Sequence, residues 1–392
     1  MINVTTLYCG TASGSDPLRY GQGPAAPASS RARRPVVVWT MSRRCNLRCL
    51  HCYADSENTA YPDELTTAEA RVMLEDLARF QIPALLLSGG EPLMHPQFFD
   101  LAGAARGLGL RVTISTNGTL ITPSAAERIK ALGVTYVGIS FDGLEAVNDR
   151  FRGVPGAFDK ALAGLRNLKQ VGQRVGLRFT LTRRNVEALP DLFAFIERER
   201  IDRVCFYHLV YAGRGRHLAQ DDLSLEETRR AVDLILLNAR RLVAQGWPGE
   251  VLTVDNHADG VYLYLTLLAE GHEAEAERAL RWLSWNRGGA HSSGVGIANV
   301  DSYGQVHPDQ FWQTHALGNV RERPFSEIWT NNADPLLTGL RDRLPLLTGR
   351  CGTCRWKPVC GGSFRVRALH ATGDPWGPDP ACYLTDDEIR MA

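Results

Sequence analysis

Three cysteines in the segment CNLRCLHC, namely Cys45, Cys49 and Cys52, are spaced Cys-x3-Cys-x2-Cys and follow the apolar run PVVVWT. A chain leaving a strand can wrap three thiolates around one [4Fe-4S] cube and leave one iron without a protein ligand. Such an iron can chelate the amino and carboxylate groups of S-adenosylmethionine, and an electron from the reduced cube can then split the sulfonium to yield a 5′-deoxyadenosyl radical. His51, between two of the thiols, suits an orienting role better than a ligating one, and Tyr53 could pack near the cube or an adenine. Cys3His zinc is the competing use of these residues, but the thiol spacing and the glycines that end the next strand favour the cube.

Those glycines belong to SGGEP, residues 88–92. Gly89 and Gly90 would let backbone amides approach a ligand closely, and Glu91 could accept the cationic amino group of a bound methionine moiety. Two further polar clusters close apolar runs: STNG with Asn117, and SFDG with Ser140 and Asp142. Their short side chains could bind ribose hydroxyls or brace neighbouring loops. Thr180 and Asn185 are weaker candidates, and Arg178 reads equally as a surface or sheet-edge charge.

A second group, Cys351, Cys354, Cys360 and Cys382, supplies four thiolates, enough to satisfy every iron of another cube. That site would have no opening for S-adenosylmethionine; it would relay electrons, tune a substrate or staple the carboxyl-terminal region. Four thiolates also suit structural zinc. Of the remaining cysteines, Cys205 reads as a buried thiol and Cys9 has no visible companion.

The elements that would position these residues alternate strand with helix. Apolar runs at 35–40, 84–88, 111–115, 135–140, 176–182 and 203–210 predict six strands, with helices over 67–80, 124–133, 157–171 and 187–199 between them. Such repeats form parallel strands joined by right-handed crossovers. Cys45, Gly89, Asn117, Ser140 and His208 then fall at or just beyond carboxyl ends of strands, the functional edge of a parallel sheet. From about Leu223 to Leu283 the pattern is helical, and beyond Trp285 it turns Gly-rich and irregular. Gly10 to Arg34, rich in Gly, Ala, Ser and Pro, predicts a mobile lead-in.

With 44 Lys and Arg against 43 Asp and Glu, the net charge of +1 offers no field for nucleic acid or an anionic membrane. No run is apolar enough to span a bilayer, and the start of the chain lacks a secretory pattern. A cytoplasmic location is expected, where cysteines serve as metal ligands more often than as disulfides.

CNLRCLHC, SGGEP and SFDG resemble the core of the radical S-adenosylmethionine (radical SAM) superfamily over about residues 35–215, and residues from about 295 to 385 are similar to its SPASM or twitch auxiliary-cluster extension. The resemblance implies an α/β fold, a partial (β/α)6 barrel with a carboxyl-terminal auxiliary iron-sulfur module. It divides the chain into a flexible segment 1–34, a core 35–222, a helical link 223–294 and a cluster domain 295–392. S-adenosylmethionine and two [4Fe-4S] clusters are the implied cofactors, since HPDQFW, residues 307–312, carries no cysteine for a third.

VCFYHLVYAGRGR, DNHADGVYLYL and HSSGVGIANVDSYGQVHPDQFW are similar to the branch of that superfamily that works in haem d1 biosynthesis. An iron-containing tetrapyrrole substrate is thereby implied: 12,18-didecarboxysirohaem, attacked at its C3 and C8 propionates by hydrogen abstraction. An electron donor such as flavodoxin or ferredoxin and other haem d1 pathway proteins are the implied partners. Arg214 and Arg216 are candidate carboxylate clamps. His208, with Tyr207 and residues 255–257, could line the same mouth and ligate the substrate iron. Sister enzymes that remove acetate groups from this tetrapyrrole or decarboxylate propionates, and enzymes that mature peptides, are the alternatives.

Overall fold

The computed structural model describes residues 1–14, 16, 34–286, 292–331 and 333–390. Six strands follow one another in parallel register: β2 (Val36–Thr40), β3 (Leu85–Ser88), β4 (Val112–Thr116), β5 (Tyr136–Ser140), β6 (Val175–Leu181) and β7 (Arg203–His208). Helices Thr67–Arg79, Phe98–Gly107, Pro123–Ala131, Ala157–Gln170 and Leu189–Arg198 make the crossovers. Local chemistry marks the start of several of them. Thr66 and Glu69 form a reciprocal capping box ahead of the first, and Pro123 occupies the first turn of the third. Apolar side chains of strands and helices merge into one core that includes Val37, Leu85, Ile114, Val137, Leu177 and Val204.

The sheet reaches beyond the six expected strands. β8 (Glu250–Val254) pairs parallel with β7, and β9 (Ile297–Val300) pairs parallel with β2. With β1 (Ile2–Asn3), β10 (Gln305–His307) and β11 (Gly318–Asn319), the order among the described residues is β1-β8-β7-β6-β5-β4-β3-β2-β9-β10-β11, with no pairing between the two ends, which makes the barrel partial. β8 falls in the region expected to be helical. All five of its residues are buried, and a short run buried on both faces carries no alternation to distinguish it from a helix start.

The amino terminus also departs from the expectation of a flexible segment over 1–34. β1 (Ile2–Asn3) pairs antiparallel with β8, and the helical turn Val4–Leu7 follows it into the core. Ile2, Val4 and Leu7 are each 1% exposed. The apolar residues of this short run cover an edge that would otherwise present unpaired backbone groups. The mobile lead-in expected beyond it lies mostly outside the described residues.

Beyond β9 come β10 (Gln305–His307), β11 (Gly318–Asn319) and a series of short helices carrying the second cysteine group. This region docks on the ends of β7 and β8 through buried polar contacts. Arg367 forms a fully buried ion pair with Asp379 at 2.7 Å and donates to Leu209 O and Asp255 O, both at 2.9 Å. Tyr383 donates to Asp259 at 2.8 Å, and Asn256 donates to Ala381 O at 2.8 Å. No helix of the described residues is long and apolar enough to cross a membrane.

Asp379→Asn would leave Arg367 buried without its counter-charge. It should lower stability by about 3–5 kcal/mol in denaturant titration, and combining Arg367→Met with Asp379→Leu should recover part of the loss.

Candidate functional site

Because β2 to β7 are parallel, the loops leaving their carboxyl ends share one edge and surround an open cavity of about 1130 Å3. Cys45, Cys49 and Cys52 line it together. Donors already address their sulfurs: Leu47 N lies 3.4 Å from Cys45, Ser56 N 3.5 Å from Cys52, and Arg152 Nη1 3.5 Å from Cys49. Burial pushes the Cys45 thiol up to about 12 and raises that of Cys49 as well. Cluster binding by Cys45 and Cys49 would displace their protons.

The residues present fit an anionic iron-sulfur cluster. Arg152 Nε, Arg214 Nη2 and His51 Nδ1 are buried without hydrogen-bond partners around the cysteine loop. Hydrogen bonds to cluster sulfurs and a nearby positive charge are the usual means by which a protein supports such a group. Among the described residues no group of three or more His, Cys, Asp or Glu side chains converges closely enough to hold a single metal ion.

Gly89 and Gly90 act here on the protein's own backbone. Gly89 has φ of +149°, and a Cβ there would sit 2.5 Å from Ser42 O. At Gly90 a Cβ would lie 2.5 Å from both Arg43 O and Arg44 O. The Gly90 amide donates to Ser42 O at 2.8 Å, so it is spent on the cysteine loop and is not free for a ligand.

Glu91 also departs from its expected contact with a ligand amino group. It is 0% exposed and outside the cavity lining. Its carboxylate accepts from Thr116 Oγ1 at 2.7 Å, Asn117 N at 2.8 Å and Leu93 N at 3.1 Å. Burial pushes its pKa up to about 7 against the pull of those bonds. Glu91 therefore braces the ends of β3 and β4 against each other.

Asn117 and Ser140 do line the cavity. The Asn117 amide donates to Asn46 Oδ1 at 2.9 Å and lies 3.9 Å from the Cys45 sulfur. Asp142 does not line it, which corrects its expected contact with ribose. Asp142 is 0% exposed, accepts from Thr180 N at 2.9 Å, pairs with Arg152 at 2.5 Å and stands 3.4 Å from His51. Burial pulls His51 down to about 4, so its ring is neutral beside this ion pair.

Of the expected substrate contacts, Arg214 lines the cavity but donates to Cys49 O at 3.0 Å and pairs with Asp55 at 2.9 Å, holding the cysteine loop. Arg216 is exposed and lines an adjoining cavity of about 1330 Å3, which shares Phe311 with the first. His208 lines the first cavity with Nε2 held 2.9 Å from Asp259. That bond occupies the nitrogen farther from the backbone, the one better placed to reach the iron of a flat macrocycle. Asp255 and Tyr207 line the same space, whereas His257 is buried outside it.

Sequence reasoning missed Arg152 and misplaced Arg178, which lines the cavity. A usable signal existed for the second: in VGLRFTL, Arg178 and Thr180 share one face of β6 while Leu177, Phe179 and Leu181 share the other. Arg152 lies on the helix Glu145–Arg152, and nothing in its local pattern marks a buried ion pair.

The second cysteine group lines a separate cavity of about 380 Å3, with all four thiols present. Arg350 Nη1 approaches Cys382 at 3.2 Å, and Trp356 N approaches Cys354 at 3.4 Å. Burial, followed by the proximity of Cys382, Cys351, Asp379 and Cys354, raises the Cys360 thiol well above its usual range. Arg365, 1% exposed with two unpartnered guanidinium nitrogens, sits against Gly362 in the cavity wall. A buried cation in want of an anion fits an anionic cluster at this site too.

A family model described as the radical SAM superfamily matches residues 39–196. The chain is also 52% identical to Fe-coproporphyrin III synthase of Methanosarcina barkeri, over 99% of both chains. This protein belongs to the radical SAM superfamily. It is 47% identical to pre-heme d1 synthase of Dinoroseobacter shibae, over 94% of this chain and 91% of that one. Among solved structures, Streptococcus suis SuiB bound to S-adenosylmethionine shares the fold, with a TM-score of 0.68 and 20% identity over 90% of this chain and 78% of that one. The chain is thus a radical SAM enzyme with a SPASM- or twitch-like auxiliary module at its carboxyl terminus.

A methyl group at Gly90 has only backbone to meet. Gly90→Ala should reduce iron incorporation at the first site, with the second site still loading, as read by iron and sulfide assay on the anaerobically reconstituted protein.

Proposed function

We propose that this enzyme removes acetate groups from 12,18-didecarboxysirohaem in forming an iron coproporphyrin. The single observation that carries the reading is the 52% identity, end to end, to a relative named Fe-coproporphyrin III synthase. Removal of the C3 and C8 propionates, as in haem d1 formation, is the second reading, supported by the 47% identity to pre-heme d1 synthase. The fully aligned lengths favour one shared architecture for substrate and cofactor in all three proteins.

Cys45, Cys49 and Cys52 would hold the cluster that binds S-adenosylmethionine, and Cys351, Cys354, Cys360 and Cys382 a second, fully ligated one. When bound, the first cluster and S-adenosylmethionine supply a 5′-deoxyadenosyl radical able to take hydrogen from an unactivated carbon. The protein's own part is positional. Gly89 and Gly90 seat the cysteine loop, Glu91 locks the next strand end, and Asn117 and Ser140 present polar groups where a nucleoside would lie.

Space and charge support a large acidic substrate. The first cavity adjoins the second at Phe311, so a macrocycle seated in the first could extend into the second. Arg43 and Arg216 line that second space and could receive carboxylates remote from the reacting one. A cytoplasmic site of action, with flavodoxin or ferredoxin as electron donor, completes this reading.

Two outcomes are expected. Reduced, reconstituted enzyme incubated anaerobically with S-adenosylmethionine and 12,18-didecarboxysirohaem should yield 5′-deoxyadenosine and a tetrapyrrole that has lost acetate groups but kept its propionates, by mass analysis. Loss of propionates would transfer the assignment to the second reading. The same preparation should contain about eight irons per chain, two full cubes. Four irons with one zinc would reject the second cube.

A further inference from the structure

Three arginines line the first cavity: Arg152, Arg178 and Arg214. Arg152 is paired with Asp142 and Arg214 with Asp55. Arg178 has no carboxylate partner among the described residues. Its Nη1 donates to Ser115 Oγ, its guanidinium lies 5.4 Å from the centroid of the Tyr207 ring, and its Nε is buried with no partner.

The surroundings do not neutralise this charge. Burial raises the phenols of Tyr53, Tyr136 and Tyr207, the last two well above their usual range, so each is neutral at pH 7. The site is nevertheless built for a guanidinium. On the adjacent strand, a Cβ at Gly138 would lie 3.1 Å from Arg178 Nε, closer than packing normally allows. Glycine at that position makes room for a buried cation that the protein itself leaves without an anion. A buried charge without a partner is costly to a folded chain, so the missing anion belongs to whatever enters the cavity.

We propose that Arg178 is the seat for the carboxylate of the substrate side chain that reacts, clamping it by charge-assisted hydrogen bonds. This deepens the tetrapyrrole reading and rests on it, because acetate and propionate side chains both end in this group. S-adenosylmethionine also carries a carboxylate. Arg178 is held by Ser115 of β4 and Tyr207 of β7, strand residues inside the sheet, whereas Arg152 and Arg214 are the cations that stand against the cysteine loop. The substrate side chain is therefore assigned to Arg178. Its reach into the cavity would set which carbon faces the radical, making Arg178 a determinant of specificity as well as affinity.

The test uses reconstituted holoenzyme with Arg178→Gln and Arg178→Lys, and two probes: 12,18-didecarboxysirohaem as the free acid and as its methyl ester. In the unaltered enzyme the acid should bind more tightly than the ester. Arg178→Gln should weaken binding of the acid about 10- to 100-fold and leave the ester unaffected, narrowing the discrimination by that factor, with what remains owed to the remote carboxylates. Arg178→Lys, which keeps the charge and guards against misfolding of the neutral variant, should restore part of it. S-adenosylmethionine affinity, measured by equilibrium dialysis, should stay within about twofold in both variants, less than one charged hydrogen bond is worth. Loss of S-adenosylmethionine binding with acid-over-ester preference intact would overturn the proposal and give the seat to the cofactor. Undiminished preference in Arg178→Gln would overturn it outright. Failure of the unaltered enzyme to bind either probe would instead remove the tetrapyrrole reading on which the proposal stands.

Discussion

The site depends on a contact between two stretches of backbone. Gly89 and Gly90, at the end of β3, lie so close to Ser42, Arg43 and Arg44 that no side chain fits between them. Hydrogen bonds from Gly90 N to Ser42 O at 2.8 Å and from Glu91 N to Arg44 O at 2.9 Å extend strand-like pairing beyond the sheet. The loop that carries Cys45 is thereby fixed at its root. Glu91 carries the same constraint one strand further, through Thr116 and Asn117, and Asn117 returns it to Cys45 through Asn46. Three strand ends are thus tied into one frame before any ligand arrives, which is the preorganisation that radical chemistry needs when misplacement by an ångström changes which carbon reacts.

Around that frame, buried positive charge is distributed unequally. Arg367 is neutralised by Asp379 and joins the carboxyl-terminal region to the ends of β7 and β8. Arg152 is neutralised by Asp142 yet also reaches the Cys49 sulfur. Among the described residues Arg178 and Arg365 form no ion pair; Arg178 lines the large cavity, and Arg365 packs against Gly362 in the wall of the second cysteine cavity, near Asp379. Fully paired cations hold the protein together, and unpaired ones mark where anions are to be supplied from outside.

Much of this architecture was legible locally. The six apolar runs became β2 to β7 within a residue or two, because most combine β-branched or aromatic residues with a turn signal. The two cysteine groups line two separate cavities; Cys45, Cys49 and Cys52 are neighbours in sequence, whereas Cys382 joins Cys351, Cys354 and Cys360 through folding. β8 was missed because burial on both faces erases the period-two pattern, and β1 because two residues are too few to show one. In the structure Glu91, Asp142 and Arg214 are engaged by the protein itself, Asp142 in the loop-bracing role that was its other expectation, for a shared reason. Sequence identifies a carboxylate or guanidinium able to bind a ligand, yet whether its capacity is already consumed by Thr116, Arg152 or Asp55 depends on residues brought near by folding.

The amino-acid sequence by itself determined the chemistry on offer: three thiols in a strand-end loop, four in another, glycines where backbone must meet backbone, and an alternation of strand and helix that sends these to one edge. Those properties are set by residue type and short-range spacing. Only the tertiary structure decided which charges remain unspent. Arg178 and Arg214 are both arginines near the catalytic edge in sequence terms, but Arg214 meets Asp55 after a separation of 159 residues and Arg178 meets no carboxylate among the described residues. The free energy of a buried charge depends on every group within a few ångströms, and that neighbourhood exists only once distant strands have been brought together.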